Sequence, residues 1–242
     1  MTGSEWMREI SEPQPEEGHR EAMPMAFFNA AGGAGASTMS ALVAGYWADR
    51  TVPAGWVDAA PADGDMLGRL GGVSTSTVQR PDGVFLWRPS RIGDLAQVLA
   101  EAQNEGLVPM IDAGTTAVGQ IRGVQALIAE GVVPVLVIGI RPDLINRARG
   151  VLSVWEDRGV LASAVVVLNA AVPGIRENVV REQLLDVLHV AARDCVGVDY
   201  DPTLGTGLSL SSEDRDQLAP ATAAAVEQIA LHATPRRLAV AQ

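Results

Sequence analysis

The feature that most constrains this chain is an alternation of short, wholly apolar runs with longer amphipathic stretches, kept up from Met23 almost to the C-terminus. The runs are Met25–Asn29, Gly55–Asp58, Val84–Trp87, Leu107–Asp112, Val133–Ile138, Ala164–Leu168 and Asp194–Val198, with helical patterns near 37–49, 91–105, 116–130, 142–157, 174–192 and 213–232. A strand without a polar face has to be buried on both sides, which a parallel sheet between two helical layers provides. Right-handed crossovers then place helices on both faces. The sequence therefore predicts one three-layer, doubly wound, mostly parallel α/β domain over 23–233. A length of 242 residues suits such a domain. With hydrophobic residues at 48% and aromatics at only 4%, its core has to be built from Ala, Val, Leu and Ile. Trp56, Trp87 and Trp155 fall in or beside expected elements and read as core or interface residues.

The flanks follow a different pattern. Residues 1–22 contain Glu-Pro-Gln-Pro-Glu-Glu-Gly without apolar periodicity and read as a disordered acidic tail. Residues 234–242 read as a flexible C-terminal tail, too short and too weakly charged for stable membrane anchoring. Glu5, Glu9 and Glu12 stand where a secretory signal would be basic, then apolar. The longest apolar run, Gly131–Ile140, is too short to cross a bilayer. A cytoplasmic protein is expected, touching membrane at most peripherally or through a partner.

Charge narrows the function classes. A net charge of −11 repels phosphate backbones, and Arg236-Arg237 is the nearest approach to a basic patch, so no specific nucleic-acid partner is expected. A single cysteine, Cys195, excludes an internal disulfide and a cysteine zinc site, and reads as a small core residue. His19, His189 and His232 are scattered without ligand spacing. All 18 basic residues are arginine. Without lysine, no lysine-dependent chemistry can be carried by this chain alone.

After the first apolar run comes Ala30-Ala31-Gly32-Gly33-Ala34-Gly35-Ala36-Ser37-Thr38, leading into a helical pattern. A glycine-rich turn at a helix start aims backbone N–H groups and the positive helix end at one point, which suits a phosphate. This segment resembles the deviant Walker A loop of the ParA/MinD family of P-loop ATPases, Lys-Gly-Gly-x-Gly-Lys-[Ser/Thr]-Thr. Gly32, Gly33, Gly35, Ser37 and Thr38 match, whereas Ala31 and Ala36 stand at the two lysine positions. The order of later segments is similar too, over about residues 24–232. Asp58-Ala59-Ala60-Pro61 resembles Asp-x-Asp-Pro with its second aspartate lost. Asp112 ends a strand as the Walker B aspartate does. Asn169 ends a later strand, and 194–202 resembles the segment before the adenine-side loop.

The resemblance implies a nucleotide site formed by Gly32, Gly33, Ala34, Gly35, Ala36, Ser37, Thr38 and Asn169, with Ser37, Asp58 and Asp112 on the Mg²⁺ side. Asn169 reads equally as a residue closing a strand-end turn, and the two aspartates as polar strand ends. The resemblance also implies what is missing. A charge-assisted hydrogen bond is worth roughly 1.5–3 kcal/mol, so losing two lysines costs on the order of 10²–10⁴ in binding or rate. Phosphoryl transfer, which is chiefly positioning and charge compensation, suffers most. The expected cofactor is therefore none, or weakly held ATP–Mg, and no catalytic residue is assigned. Arg88, Arg141 and Arg147 follow strand ends and could supply charge, but each reads first as solvated surface arginine.

The function implied is that of a degenerate ParA/MinD-like protein: a pseudo-ATPase scaffold or positioning adaptor in a larger secretion, pilus or partition assembly. Relatives with altered loops, the Flp/Tad pilus-localisation proteins among them, help place secretion machines or pili. A protein partner is expected, and a homodimer in which the Ala-rich helix 218–230 supplies contacts if it does not pack on the sheet. A second reading is a weak Mg-ATP-binding ATPase completed by a partner's basic residue. A third is an NAD(P)-binding oxidoreductase, with Gly33 and Gly35 as part of a dinucleotide loop and Asp58 as the ribose ligand; no Tyr-x-x-x-Lys pair exists to serve it.

Overall fold

The computed structural model describes residues 22–60, 76–89, 94–173, 175–205 and 210–234. The two tails, residues 1–21 and 235–242, lie outside them, as does Pro61. Eight strands form one sheet: β1 Met25–Asn29, β2 Ala54–Asp58, β3 Val78–Gln79, β4 Phe85–Trp87, β5 Val108–Asp112, β6 Val133–Gly139, β7 Val165–Asn169 and β8 Asp194–Val198. Their order is β3-β4-β2-β5-β1-β6-β7-β8. Among the described residues only β3 runs antiparallel, as a hairpin partner of β4. The doubly wound, mostly parallel sheet expected from the apolar runs is thus observed. The two-residue β3 was not expected, being too short and too exposed to carry a pattern.

The helices are α1 Ala36–Ala48, α2 Leu95–Asn104, α3 Ile121–Ala129, α4 Pro142–Asp157, α5 Ile175–Ala191, α6 Pro202–Gly205, α7 Ser212–Asp216 and α8 Pro220–Leu231. Pro142 starts α4 at the residue anticipated, because proline fits the first turn, where its missing N–H has no helical partner to lose. The same rule corrects the single helix expected over 213–232. Pro220 cannot sit inside a helix, so the segment splits into α7, closed by a Ser211–Asp214 capping box, and α8, which begins on the proline.

Alternation along each strand divides the core in two. Met25 and Phe27 of β1, Met110 of β5 and Val165 and Val167 of β7 point to a cluster shared with α1 and α8. Ala26, Phe28, Ile111, Val166 and Leu168 point to the opposite cluster, shared with α2, α3 and α4. Helix α1 is buried on nearly every side, as a helix enclosed by the sheet, α7 and α8 must be. Its position is fixed by a buried hydrogen bond from Trp56 Nε1 of β2 to Ser40 Oγ, 2.7 Å. Trp155 stacks edge-on to Phe28 at 5.6 Å and donates to the Ala117 carbonyl. The tryptophans are core residues, as expected. The Ala-rich final helix spends its apolar face, Thr222, Ala225, Val226, Ile229 and Ala230, on the domain's own core.

One buried ion-pair network had no signal in the sequence. Arg215 of α7, its side chain only 8% exposed, reaches Asp49 at the C-terminus of α1 (2.7 Å) and Asp82 in the β3–β4 turn (3.0 Å). Three segments far apart in the chain meet on one guanidinium. Asp82 also accepts from Arg80 Nε at 3.1 Å, so an apolar replacement of Arg215 removes one of its two cations and the tie that joins α1, the β3–β4 turn and α7. Arg215→Met is expected to lower unfolding free energy by about 2 kcal/mol, the value of a charge-assisted hydrogen bond, read from urea denaturation midpoints. A loss under about 0.5 kcal/mol, the range of ordinary surface changes, contradicts that role.

Candidate functional site

The strand order puts β1 between β5 and β6, and the connections from β1 and β6 leave toward opposite faces. Ligands of open α/β sheets bind in the crevice that such a reversal leaves beyond the strand carboxyl ends. The glycine loop 30–35 lies there. Ala30 N–H bonds to the Val137 carbonyl and Asn29 N–H to that of Gly114, so the loop is tied to β6 and to the turn after β5. Gly33 (φ 79°) and Gly35 (φ 106°) take left-handed conformations that side chains resist. These two angles turn the chain from β1 into α1, and they are the local reason for the glycines.

Two asparagines hold the loop closed. Asn29 Oδ1 accepts the N–H of Ala36 at 2.8 Å, and Asn169 donates Nδ2 to the Ala34 carbonyl at 2.8 Å. Asn169, which ends β7, thus reaches across to the glycine loop itself. Asn29 was not singled out from the sequence. Its only signal was a polar residue ending an apolar strand before a loop. The N–H it occupies belongs to the first turn of α1, among the donors a phosphate would use.

At the two alanines the loop is apolar. Ala36 is completely buried among Met39, Leu42, Val135 and Val137, and Ala31 is buried as well. Gly32 and Gly33 are exposed, Ser37 is half-buried and Thr38 buried, so the residues carried over from the loop pattern do share one neighbourhood.

Asp58 and Asp112 end adjacent strands as register partners, both fully buried. Each accepts a local N–H: Asp58 from Ala60 at 3.2 Å, Asp112 from Gly114 at 3.1 Å. Asp58 also pairs with Arg88 Nη1 at 3.2 Å. Arg88 is therefore not the solvated arginine expected; it turns back onto a carboxylate from the end of β4. Arg141 and Arg147 do stay at the surface, Arg141 pairing with Asp143.

Beside the loop opens a cleft of about 200 Å³, walled by Gly33, Gly35, Thr38 and Met39 on one side, and on the other by residues 169–171, 199–201, Leu204 and Gly205. The sequence pointed to this second wall only through 194–202. Asp201 builds it. Nearly buried, it accepts the N–H groups of Thr203 and of Ala219 at 2.9 Å each, pinning α6 to the start of α8. Desolvation pushes its pKa up, but the hydrogen bonds outweigh that and hold the carboxyl below the ordinary range. Asp199 is paired with Arg181. Among the cleft's described lining residues none is basic.

Two further sequence readings are settled. Cys195 is buried, and burial together with Asp194 pushes its thiol up to about 12, so it is no nucleophile. His189 and His232, scattered in sequence, meet at Asp194, at 3.6 and 2.7 Å. Among the described residues no group of three or more His, Cys, Asp or Glu has the arrangement to hold a metal. No described helix is long and apolar enough to cross a membrane.

The same architecture occurs in solved structures. The chain is similar to MinD in the MinC:MinD cell division protein complex of Aquifex aeolicus, at 15% identity and TM-score 0.58 over 84% of this chain and 93% of that one. It is similar to a ParA-family ATPase from Chlorobium tepidum, at 17% identity and TM-score 0.58 over 88% and 99%. A third similar structure is ascribed to plasmid partition in Borrelia burgdorferi and was solved bound to AMPPNP, at 8% identity and TM-score 0.53 over 86% and 98%. The chain has the ParA/MinD fold. No protein-family model matches the sequence, and no curated protein is significantly similar to it. In the ParA/MinD fold seen here β5 separates β1 from β2, whereas the dinucleotide fold keeps those strands adjacent. With Asp58 two strands from β1 and paired with Arg88, the oxidoreductase reading loses its support.

The loop geometry makes a quantitative expectation. A Cβ on Gly35 would fall 2.5 Å from Asn169 Nδ2, on a backbone angle that already disfavours any side chain. Gly35→Ala is expected to cost about 2–3 kcal/mol, from backbone strain plus the lost Asn169–Ala34 bond. Gly33→Ala, which meets nothing within 4 Å, should cost about 1 kcal/mol. Equal costs by thermal denaturation would contradict the clamp assigned to Asn169.

Proposed function

We propose that this protein is a ParA/MinD-like pseudo-ATPase, a cytoplasmic scaffold or positioning adaptor that keeps the fold of a nucleotide switch without the cations needed to hold and hydrolyse a triphosphate. The observation that carries this reading is the buried Ala36 at the head of α1, in the position of the loop lysine, in a chain that has no lysine anywhere.

Three features support it, and together they mean that the residues present do not fit a magnesium–triphosphate. The Ala36 N–H is already taken by Asn29. Asp58, the first candidate metal ligand, already carries the guanidinium of Arg88. The cleft offers acidic but no basic side chains among its described lining residues. A bound triphosphate would therefore add negative charge to an acidic pocket, at a cost that grows as water is excluded. With the switch disabled, what remains for selection is a surface. Similarity to a protein solved in the MinC:MinD complex supports a role in contacting a protein partner, and a homodimer belongs to the same proposal. A secretion, pilus or partition assembly is the setting proposed for that partner.

Titration of mant-ATP with and without Mg²⁺ tests the reading. Binding weaker than about 100 μM and indifferent to Mg²⁺ is expected. Ala36→Lys should tighten it about tenfold or more, the value of one charge-assisted contact. Micromolar, Mg²⁺-dependent binding by the unaltered chain would favour instead a weak ATPase completed by a partner's basic residue.

A further inference from the structure

The two strand-end aspartates pose a problem that the loss of nucleotide makes sharper. Asp58 is fully buried, and so is Asp112, its register partner on the neighbouring strand. Local N–H groups from Ala60 and Gly114 meet one oxygen of each. In an ion-binding site of this kind a divalent cation would supply the positive charge. Here a side chain brings positive charge to Asp58: Arg88 Nη1 stands 3.2 Å from Asp58 Oδ2, and the Arg88 side chain is 22% exposed.

We infer that Arg88 is the resident counter-ion of this carboxyl edge, a covalently attached replacement for the cation, which makes the edge metal-independent and holds it in one state. The inference rests on the pseudo-ATPase reading, and deepens it by saying what took over the vacated charge.

The local sequence is built for this. β4 pairs in parallel with β2, with Val57 opposite Trp87. The residue after Trp87 therefore leaves the sheet beside the residue after Val57, and these are Arg88 and Asp58. Trp87 is itself buried, which anchors the strand end from which the guanidinium turns back. Arginine suits the post better than lysine, because its charge is permanent and less strongly hydrated. A cation that can dissociate would make this edge responsive to ligand; one fixed to the chain cannot leave. A partner-binding surface built around it would hold its shape whatever the nucleotide supply, as an adaptor needs and a switch does not.

Thermal unfolding of the full chain, in EDTA and in 5 mM Mg²⁺, tests the inference with three proteins. The unaltered protein should show the same Tm in both buffers. Arg88→Met should lose about 5–10 °C in EDTA, since a buried carboxylate loses the guanidinium paired with it. Mg²⁺ should return part of that loss. Arg88→Met combined with Asp58→Asn should recover most of it without Mg²⁺, because the charge and its partner go together. If the single variant does not fold, folding of the double variant supports the inference and its failure to fold overturns it. A single variant as stable as the parent, one that gains nothing from Mg²⁺, or a parent stabilised by Mg²⁺ alone, each overturns it. A parent stabilised only by Mg²⁺ together with ATP would count against the pseudo-ATPase reading and leave the Arg88 assignment standing.

Discussion

Taking a carboxylate wholly out of water costs several kcal/mol unless something replaces the lost solvation. The carboxyl edge of this sheet meets that demand at Asp58 and Asp112, adjacent and buried. Much of the surrounding structure follows from how it is met. Turn N–H groups from Ala60 and Gly114 fold the strand ends back on themselves, and Arg88 brings a full positive charge from the end of β4. The charge of Asp58 is thus met by a side chain of the same protein.

The glycine loop obeys the same logic. Its left-handed Gly33 and Gly35 keep the shape of a turn that delivers a helix N-terminus to the crevice between β1 and β6. Two of its polar groups, however, are taken up by asparagines. Asn29 takes the N–H of Ala36, Asn169 serves the Ala34 carbonyl, and the two alanines close the loop with apolar surface. Backbone shape and ionic function have separated, since φ angles depend on glycine whereas ligand affinity depends on charged side chains. Asp201, pinned to Thr203 and Ala219, gives the neighbouring wall an equally internal set of bonds.

How much of this was legible in the sequence depended on the range of the interaction. β1 and β8 fall on their expected residues because a fully apolar run has few alternatives to a doubly covered strand. Helix α4 does so because Pro142 marks its first turn. The break before α8 was also visible in Pro220, but the helical apolar pattern on either side outweighed it. β3 was not legible, since two exposed residues have no period and owe their strand to the pairing with β4. The loop's membership, Gly32 to Thr38, was legible because it is contiguous. The partners that define its state were not. Arg88 reads like any arginine after a strand until β4 is laid beside β2, and Arg215 joins Asp49 and Asp82 only once three distant segments have met. Local pattern carries the fold; the charge pairing is a product of topology.

The most direct test of whether Asn29 and Arg88 stand in the way of a nucleotide and its metal is a crystal structure of the protein grown with a large excess of AMPPNP and Mg²⁺. No ordered triphosphate is expected over residues 32–38, and the Asn29–Ala36 and Asp58–Arg88 contacts should be intact. An ordered triphosphate on the loop, with Mg²⁺ at Ser37 and Asp58 and the Arg88 guanidinium displaced, would contradict that expectation.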